Sequence, residues 1–321
     1  MIKVGIIGAA GYTAGELIRI LIHHSQAEII FLQSESHAGK NVAEVHKDLI
    51  GETDLLFSKE ISKDEVGVFF LCKGHSESKI IVEQNPFVLK KKVIDLSQDF
   101  RLKTNHDFVY GLPEINRNKL RGANHIANPG CFATSIQLSL LPAIKLNSIA
   151  GSVSISGITG ATGAGQKLSP TSHFSWRSNN ASVYKALTHQ HLLEVNETFK
   201  SINTDFDSKL LFIPYRGAFT RGIITTAHFE TSLSENQLLD TYKHFYAEAP
   251  FTHIVEENPD LKQVVGTNKC LVYPKVINGT AIVISVIDNL LKGASGQAVQ
   301  NMNLQFGIPE KTGLNLKSIV F

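Results

Sequence analysis

Apolar positions in the first third of the chain come in short runs broken by turns. Residues 2–8, IKVGIIG, form a β-branched run closed by glycine, and residues 14–22, AGELIRILI, follow with apolar spacing near the helical period. This pattern predicts a strand, a glycine turn and a helix. Residues 27–33, AEIIFLQ, predict a second strand ended by the polar turn SESHAGKN. The later runs VGVFFLC and KKVIDLS read as buried strands separated by segments of helical length, the pattern of a doubly wound parallel sheet. After residue 150 the texture changes to the glycine- and serine-rich GSVSISGITGATGAG, and then to KLLFIPYR, RGIITTAHFE, CLVYPKV and TAIVISVIDN. These alternate or run apolar like strands, with few helices between them beyond one predicted near residues 234–248, so an α+β domain with a mostly antiparallel sheet is expected. The last periodic segment, GASGQAVQNMNLQFG, predicts a helix that returns to the first domain. No internal repeat or low-complexity tract interrupts this order.

Composition narrows the class of protein. The 321 residues, 43% hydrophobic, are enough for about two domains with cores of their own. Lysine and arginine (31) nearly balance aspartate and glutamate (29), which argues against a nucleic-acid or anionic-membrane partner. The chain enters strand-like sequence at once, without a charged leader and apolar h-region, and has no apolar stretch of about 18 residues, so a cytoplasmic protein is expected. The three cysteines, Cys72, Cys131 and Cys270, make no CxxC pair, and neither a disulfide framework nor a metal site is expected.

Three stretches carry candidate chemistry. Gly8 and Gly11 in the first turn, with Tyr12, Thr13 and Ala14 opening the helix, suit a dinucleotide pyrophosphate, because glycines let backbone N–H groups approach the anion and the helix N-terminus supplies positive potential. The spacing is Gly8-x-x-Gly11-x-x-Ala14 and not GxGxxG, so a plain tight turn is the alternative. Ser34, Glu35, Ser36 and Lys40 after the second strand give a mixed signal between NAD and NADP. In NPGCFATS, Cys131 falls at a helix start, where a thiolate is stabilised; a small cysteine packing the helix start is the other reading. Cys72 and Cys270 lie in strand-like runs and read as packing residues. A thiol nucleophile needs an acid/base, and YKALTHQHLLEV concentrates His189, His191 and Glu194, the last two at i and i+3 on a helix. Each histidine taken alone is also consistent with a solvated helix face. Arg101, Arg216 and Arg221 stand at strand ends, where a guanidinium could hold a carboxylate or phosphate or make an ordinary salt bridge.

Taken together, GAAGYTAGEL, VIDLSQDFRL, YGLPE, NPGCFATS, GITGATGAG, HQHLLEV, RGIITT, GTNKC and DNLLKGASGQAVQNMNLQFG, in this order, resemble the N-acetyl-γ-glutamyl-phosphate reductases of arginine biosynthesis, within the aspartate-semialdehyde dehydrogenase superfamily. The resemblance covers nearly the whole chain. It implies an α/β fold, with a Rossmann-like NADP-binding domain over residues 1–130 and 293–321 and a catalytic, substrate and oligomerisation domain over residues 131–292. It implies Cys131 as nucleophile, and His191 as acid/base supported by Glu194, with His189 the second choice. Gly8, Gly11, Tyr12, Thr13, Ala14, Ser34, Ser36 and Asn289 are implied near the cofactor, NADP with NAD as the alternative. Arg101, Asn128, Lys185, His189, Arg216 and Arg221 are implied near the substrate, an N-acylglutamyl phosphate, with inorganic phosphate the second small molecule. A homodimer or homotetramer and no metal are expected.

The chain departs from the family pattern at Gln190 and Leu193, where members carry arginine and proline, at Glu35, where arginine is common, and at Tyr215, where histidine is usual. The acyl group, acetyl or succinyl, stays open on these residues. So do three other readings: another dehydrogenase of the superfamily, a cysteine hydrolase or acyltransferase without nicotinamide, and a non-catalytic nucleotide sensor.

Overall fold

A computed structural model of the chain describes residues 1–63 and 65–320; Phe321, the last residue of the expected first domain, lies outside the described residues. The chain forms two compact units, Met1–Gly130 with Ala294–Asn315, and Cys131–Gly293 with the segment from Leu316.

In the first unit the β-branched runs become strands of one all-parallel sheet. β1 (Ile2–Ile7) leads into α1 (Tyr12–Leu21), followed by β2 (Ala27–Gln33), β3 (Phe57–Ser58) and β4 (Val68–Leu71). Then come α2 (Glu77–Gln84), β5 (Lys92–Asp95), β6 (Val109–Tyr110), α3 (Pro113–Leu120) and β7 (His125–Ala127). The order is β3-β2-β1-β4-β5-β7-β6, with β1 between β2 and β4 and the strand order reversing at it. Such a switch opens a crevice at the carboxyl ends of the strands. Ile7, Phe31, Phe69, Leu71 and Val93 build the core beneath it.

The second unit is arranged around one helix. Cys131 is the first residue of α4 (Cys131–Lys145), in which every residue from Phe132 to Ile144 is buried. β8 (Ala150–Thr159), α5 (Phe174–Arg177), β9 (Ser182–Val183), α6 (His191–Ile202), β10 (Leu210–Arg216) and β11 (Ile223–Glu230) follow. The unit continues through α7 (Glu235–Phe245), β12 (Thr252–Ile254), β13 (Cys270–Ile277) and β14 (Thr280–Ile287). The sheet order is β12-β13-β14-β11-β8-β10-β9; four of its six pairings are antiparallel, as the alternating runs predict. Helix α4 packs on β11 and β14 on one side and on α6 and α7 on the other.

A helix buried on all sides must satisfy every backbone group internally. Pro142 breaks that rule within α4, because it has no N–H for the carbonyl of Leu138 four residues earlier. The Tyr246 hydroxyl donates to that carbonyl at 2.7 Å, and the Tyr242 hydroxyl donates to the neighbouring Ser139 carbonyl at 2.6 Å. Side chains just behind Cys131 are also polar and paired: Ser135 bonds to Thr225 at 2.8 Å and to Ser285 at 3.2 Å, and Ser285 meets the buried Cys270 thiol at 3.4 Å.

The last helix, α8 (Ser295–Gln305), belongs to the first unit, where it packs on α1 and α3. It is buried along its whole length although its sequence, SGQAVQNMNLQ, is largely polar; none of its residues is charged. Its amides donate to loop carbonyls: Asn301 to Gly111 at 2.9 Å, Gln305 to Ala123 at 2.8 Å and Asn124 at 2.9 Å, and Asn303 to Thr312 at 2.9 Å.

Replacing Tyr246 by phenylalanine leaves a buried carbonyl without its donor and is expected to cost about 1–3 kcal/mol. Urea unfolding measures this as a lower midpoint at constant slope; a change within about 0.5 kcal/mol contradicts the role given to the hydroxyl.

Candidate functional site

The thiol of Cys131 is half-exposed at the first position of α4. Asn128, Pro129 and Gly130 hold the chain out of helix up to that point, so the sulfur stands at the positive end of the helix dipole. Gly293 comes so close that a Cβ there would sit 2.9 Å from the Cβ of Cys131. The thiol also lies within electrostatic reach of Tyr184.

From Tyr184 a connected set of side chains extends along the segment before α6. The Arg216 guanidinium lies 4.6 Å from the Tyr184 ring centre and hydrogen-bonds to its hydroxyl. Burial pushes the Tyr184 hydroxyl up to about 12, with Cys131 adding to the rise and Arg216 opposing it. His189 stands edge-on to Tyr184, Phe132, Phe212 and His191, at centroid separations of 5.7, 5.6, 5.5 and 4.6 Å. It is pushed down to about 4, first by burial and then by the positive charges of Lys185 and Arg216. Its Nδ1 accepts the backbone N–H of His191 at 3.3 Å, which puts the proton of the neutral ring on Nε2.

His191 opens α6 and Glu194 follows one turn later; both are buried, and Nε2 of the imidazole stands 4.0 Å from the carboxylate. Lys185 donates to the side-chain oxygen of Gln190 at 2.9 Å. The backbone that delivers these groups is bent: Asn179, Lys185 and Leu187 have φ of 51°, 46° and 60°, in the left-handed region that costs side-chain-bearing residues energy. Arg177 holds the segment by donating to the carbonyls of Arg216 at 2.7 Å and Thr171 at 3.1 Å and to the Ser182 hydroxyl at 3.1 Å.

Two other candidates of this unit are tied elsewhere. Arg221 donates to Asp288 through Nε at 3.1 Å and pairs through Nη2 at 3.0 Å, while Asn289 accepts from the Gly222 N–H at 2.7 Å and donates to Thr162 at 3.1 Å. Both brace the loop between β14 and the end of the unit.

In the first unit, Gly8, Gly11, Ser34 and Ser36 line a cavity of about 490 Å³ at the carboxyl ends of β1, β2 and β4, together with Ala10, Glu35, Cys72, Lys73 and Gly74. Gly8 has φ of 81°, and a Cβ on it would stand 3.0 Å from both the Cys72 carbonyl and Cδ of Lys73. Gly11 begins α1 without a side-chain cap, with no acidic residue in the first turn and open space where a Cβ would stand. This cradle fits an anion such as a dinucleotide pyrophosphate. Tyr12 is exposed, Thr13 bonds to the Cys72 thiol and Ala14 is fully buried beneath the helix. The Cys72 thiol is pushed well above the usual thiol range by burial and then by the charge of Asp95.

Arg101 donates through Nε to the carbonyl of Asn128 at 2.9 Å and through Nη2 to that of Leu96 at 3.0 Å. Asn128 in turn donates to the Ala294 carbonyl at 3.1 Å and accepts from Asn301 at 3.0 Å. Both shape the loops after β5 and β7. Asp95, at the end of β5, is raised to about 6 by burial, against hydrogen bonds from Ser78 and Ser97. Sequence reasoning passed over Tyr184, Lys73, Gly293 and Arg177. Among the described residues no group of three His, Cys, Asp or Glu side chains is placed to hold a metal ion, and no helix is long and apolar enough to cross a membrane.

The family profile described as semialdehyde dehydrogenase, NAD binding domain, matches residues 3–123, and that described as semialdehyde dehydrogenase, dimerisation domain, matches residues 131–289. Among solved structures, an aspartate semialdehyde dehydrogenase II from Vibrio cholerae superposes with a TM-score of 0.74 at 16% identity, covering 95% of this chain and 98% of that one. An aspartate semialdehyde dehydrogenase from Candida albicans, solved with NADP, gives 0.68 at 14% identity over 94% and 97%. These share the fold. N-acetyl-gamma-glutamyl-phosphate reductases from Bacteroides thetaiotaomicron and Christiangramia forsetii are each 52% identical, and one from Parabacteroides distasonis is 50% identical, all over 100% of both chains. With such identity along its entire length and both dehydrogenase profiles in register, the chain belongs to the N-acetyl-gamma-glutamyl-phosphate reductase family.

Proposed function

We propose that the chain reduces N-acetyl-γ-glutamyl phosphate to N-acetylglutamate 5-semialdehyde, releasing phosphate, with NADP as the dinucleotide. The observation that carries this reading is the set Cys131, Tyr184, His189, Arg216, His191 and Glu194: a helix-start thiol joined through ring and charge contacts to two histidines and a carboxylate.

The first unit is the dinucleotide-binding domain and the second the catalytic and oligomerisation domain. The Gly8–Gly11 turn and the start of α1 would hold the pyrophosphate, and Ser34 and Ser36 would stand on the side of the adenosine ribose. When bound, the nicotinamide supplies the hydride that reduces a thioester. Cys131 attacks the carbonyl carbon of the acyl phosphate, the C–O bond to phosphate breaks, and phosphate leaves with the bonding pair. After reduction the C–S bond breaks, the aldehyde forms and the electron pair returns to the sulfur. His191 holds the proton exchanged with the substrate oxygen, and Glu194 keeps its imidazole oriented. His189 is neutral at pH 7 and presents an Nε2–H donor, which suits substrate positioning better than proton exchange. Arg216 and Lys185 supply positive charge for the phosphoryl group.

The sheet of the second unit offers a surface for a second copy. Alternate residues cover α4, while Tyr273, Ile284, Thr226, Ser156 and Ile213, adjacent across five strands, stay partly or fully exposed on the other face. A row of this kind supports the homodimer or homotetramer, in agreement with the dimerisation-domain profile.

Cys131→Ser is expected to abolish both acyl phosphate reduction and phosphate-dependent semialdehyde oxidation, with fold and NADPH affinity unchanged; near-normal turnover sinks the assignment. Assays with N-acetyl and N-succinyl substrates in parallel fix the acyl group. His191→Asn is expected to lower kcat by about 10²-fold or more and His189→Asn to act mainly on KM; the reverse pattern exchanges their roles. Because the His189 imidazole is depressed from 6.5 to about 4 in the fold, the unfolded chain takes up its proton first. Its contribution to stability is therefore full above pH 6.5 and lost as the pH falls towards 4. Nitrogen-15 NMR should find this ring neutral, protonated on Nε2, down to about pH 5; titration near 6.5 contradicts the buried neutral ring.

A further inference from the structure

Glu35 lies just past β2 and lines the dinucleotide cavity, where a carboxylate ordinarily accepts a ribose hydroxyl and repels a phosphate in its place. Lys73 lines the same cavity, from just past β4. The two residues also line an adjoining cavity of about 350 Å³ that carries Ile61, Ile80 and Ile81 with Lys59 and the carboxylates of Glu60 and Glu77. Glu35 and Lys73 are the two side chains common to both spaces.

The stem of Lys73 is anchored against Gly8, where a Cβ would meet its Cδ at 3.0 Å. The residue is half-buried, yet it makes no hydrogen bond or ion pair among the described residues. A cation without a partner in a cavity wall gains from an incoming anion. Two anions of NADP could use it, the pyrophosphate and the adenosine 2′-phosphate. The pyrophosphate already has the uncapped start of α1 and the Gly8 turn. The 2′-phosphate has the Ser34 and Ser36 hydroxyls but faces Glu35, and Lys73 shares both cavity walls with that carboxylate.

We propose that Lys73 is a specificity-determining residue, the cation that receives the adenosine 2′-phosphate and offsets Glu35. This rests on the NADP reading above. The Glu35 and Lys73 pair then sets the choice of dinucleotide: the carboxylate tolerates an unphosphorylated ribose, and the ammonium rewards a phosphorylated one.

The test is equilibrium titration of the full-length protein by calorimetry with NADPH, NADH, adenosine 2′,5′-bisphosphate and AMP, which reads binding apart from turnover. Lys73→Met is expected to weaken NADPH and the bisphosphate by about tenfold or more, with NADH and AMP changed less than about twofold. Lys73→Arg should keep the discrimination, and Glu35→Gln should tighten the two phosphorylated ligands alone. Raising the salt concentration should erode the wild-type preference and leave Lys73→Met nearly unaffected. Equal losses for phosphorylated and unphosphorylated ligands overturn the proposal and make Lys73 a pyrophosphate contact; no loss at all overturns it too. A wild-type protein that binds NADH more tightly than NADPH defeats the NADP reading instead, while a selective loss of the bisphosphate in Lys73→Met still upholds the role of Lys73.

Discussion

A thiol can be held at the start of a helix only if the helix itself has nowhere to go, and the burial of α4 on every side imposes that condition. Thirteen consecutive residues, from Phe132 to Ile144, are enclosed by the sheet on one side and by α6 and α7 on the other. The enclosure makes each backbone polar group a liability, and Pro142 exposes one. Tyr246, just past α7, resolves it and Tyr242 of α7 bonds the next carbonyl, while the paired hydroxyls of Ser135, Thr225 and Ser285 fasten the front of the helix to the sheet. Cys131 inherits a fixed position from this packing, and the first-turn N–H groups inherit a fixed direction.

The same helix connects the thiol to its neighbours. Phe132, the residue after the cysteine, stacks edge-on against Phe212 and His189, so the residue that starts the buried run is also a wall of the histidine's enclosure. That enclosure keeps His189 neutral, and its ring nitrogen fixes the backbone of His191. Packing, protonation and orientation are therefore one arrangement here.

Much of this could be read from the chain. The change from strand to helical period across Gly8 and the helix-breaking Asn-Pro-Gly before Cys131 are local signals, and the elements they announce stand where expected. The His191 and Glu194 spacing is local too, since one helical turn sets it. What stayed hidden is non-local. Arg221 reads as either a substrate contact or a salt-bridge partner, and only Asp288, 67 residues later and beside it in the fold, identifies the partner. The aromatic enclosure of His189 is assembled from Phe132, Tyr184 and Phe212, on three separate segments. Helix α8 has an apolar period but is buried through its amides as well, and only the position of the loop carbonyls explains why that is tolerable.

Helix α8 also decides when the first unit can finish folding. Its seat on α1 and α3 is made by residues of the first 120 positions, yet the helix begins at Ser295, after Cys131–Gly293 of the second unit has been synthesised. On the ribosome, at about 5–20 residues per second, the faces of α1 and α3 that receive it wait several seconds or longer for their cover. The unit begun first thus closes only after the body of the second has left the ribosome, and its α1 and α3 faces stay uncovered for that interval.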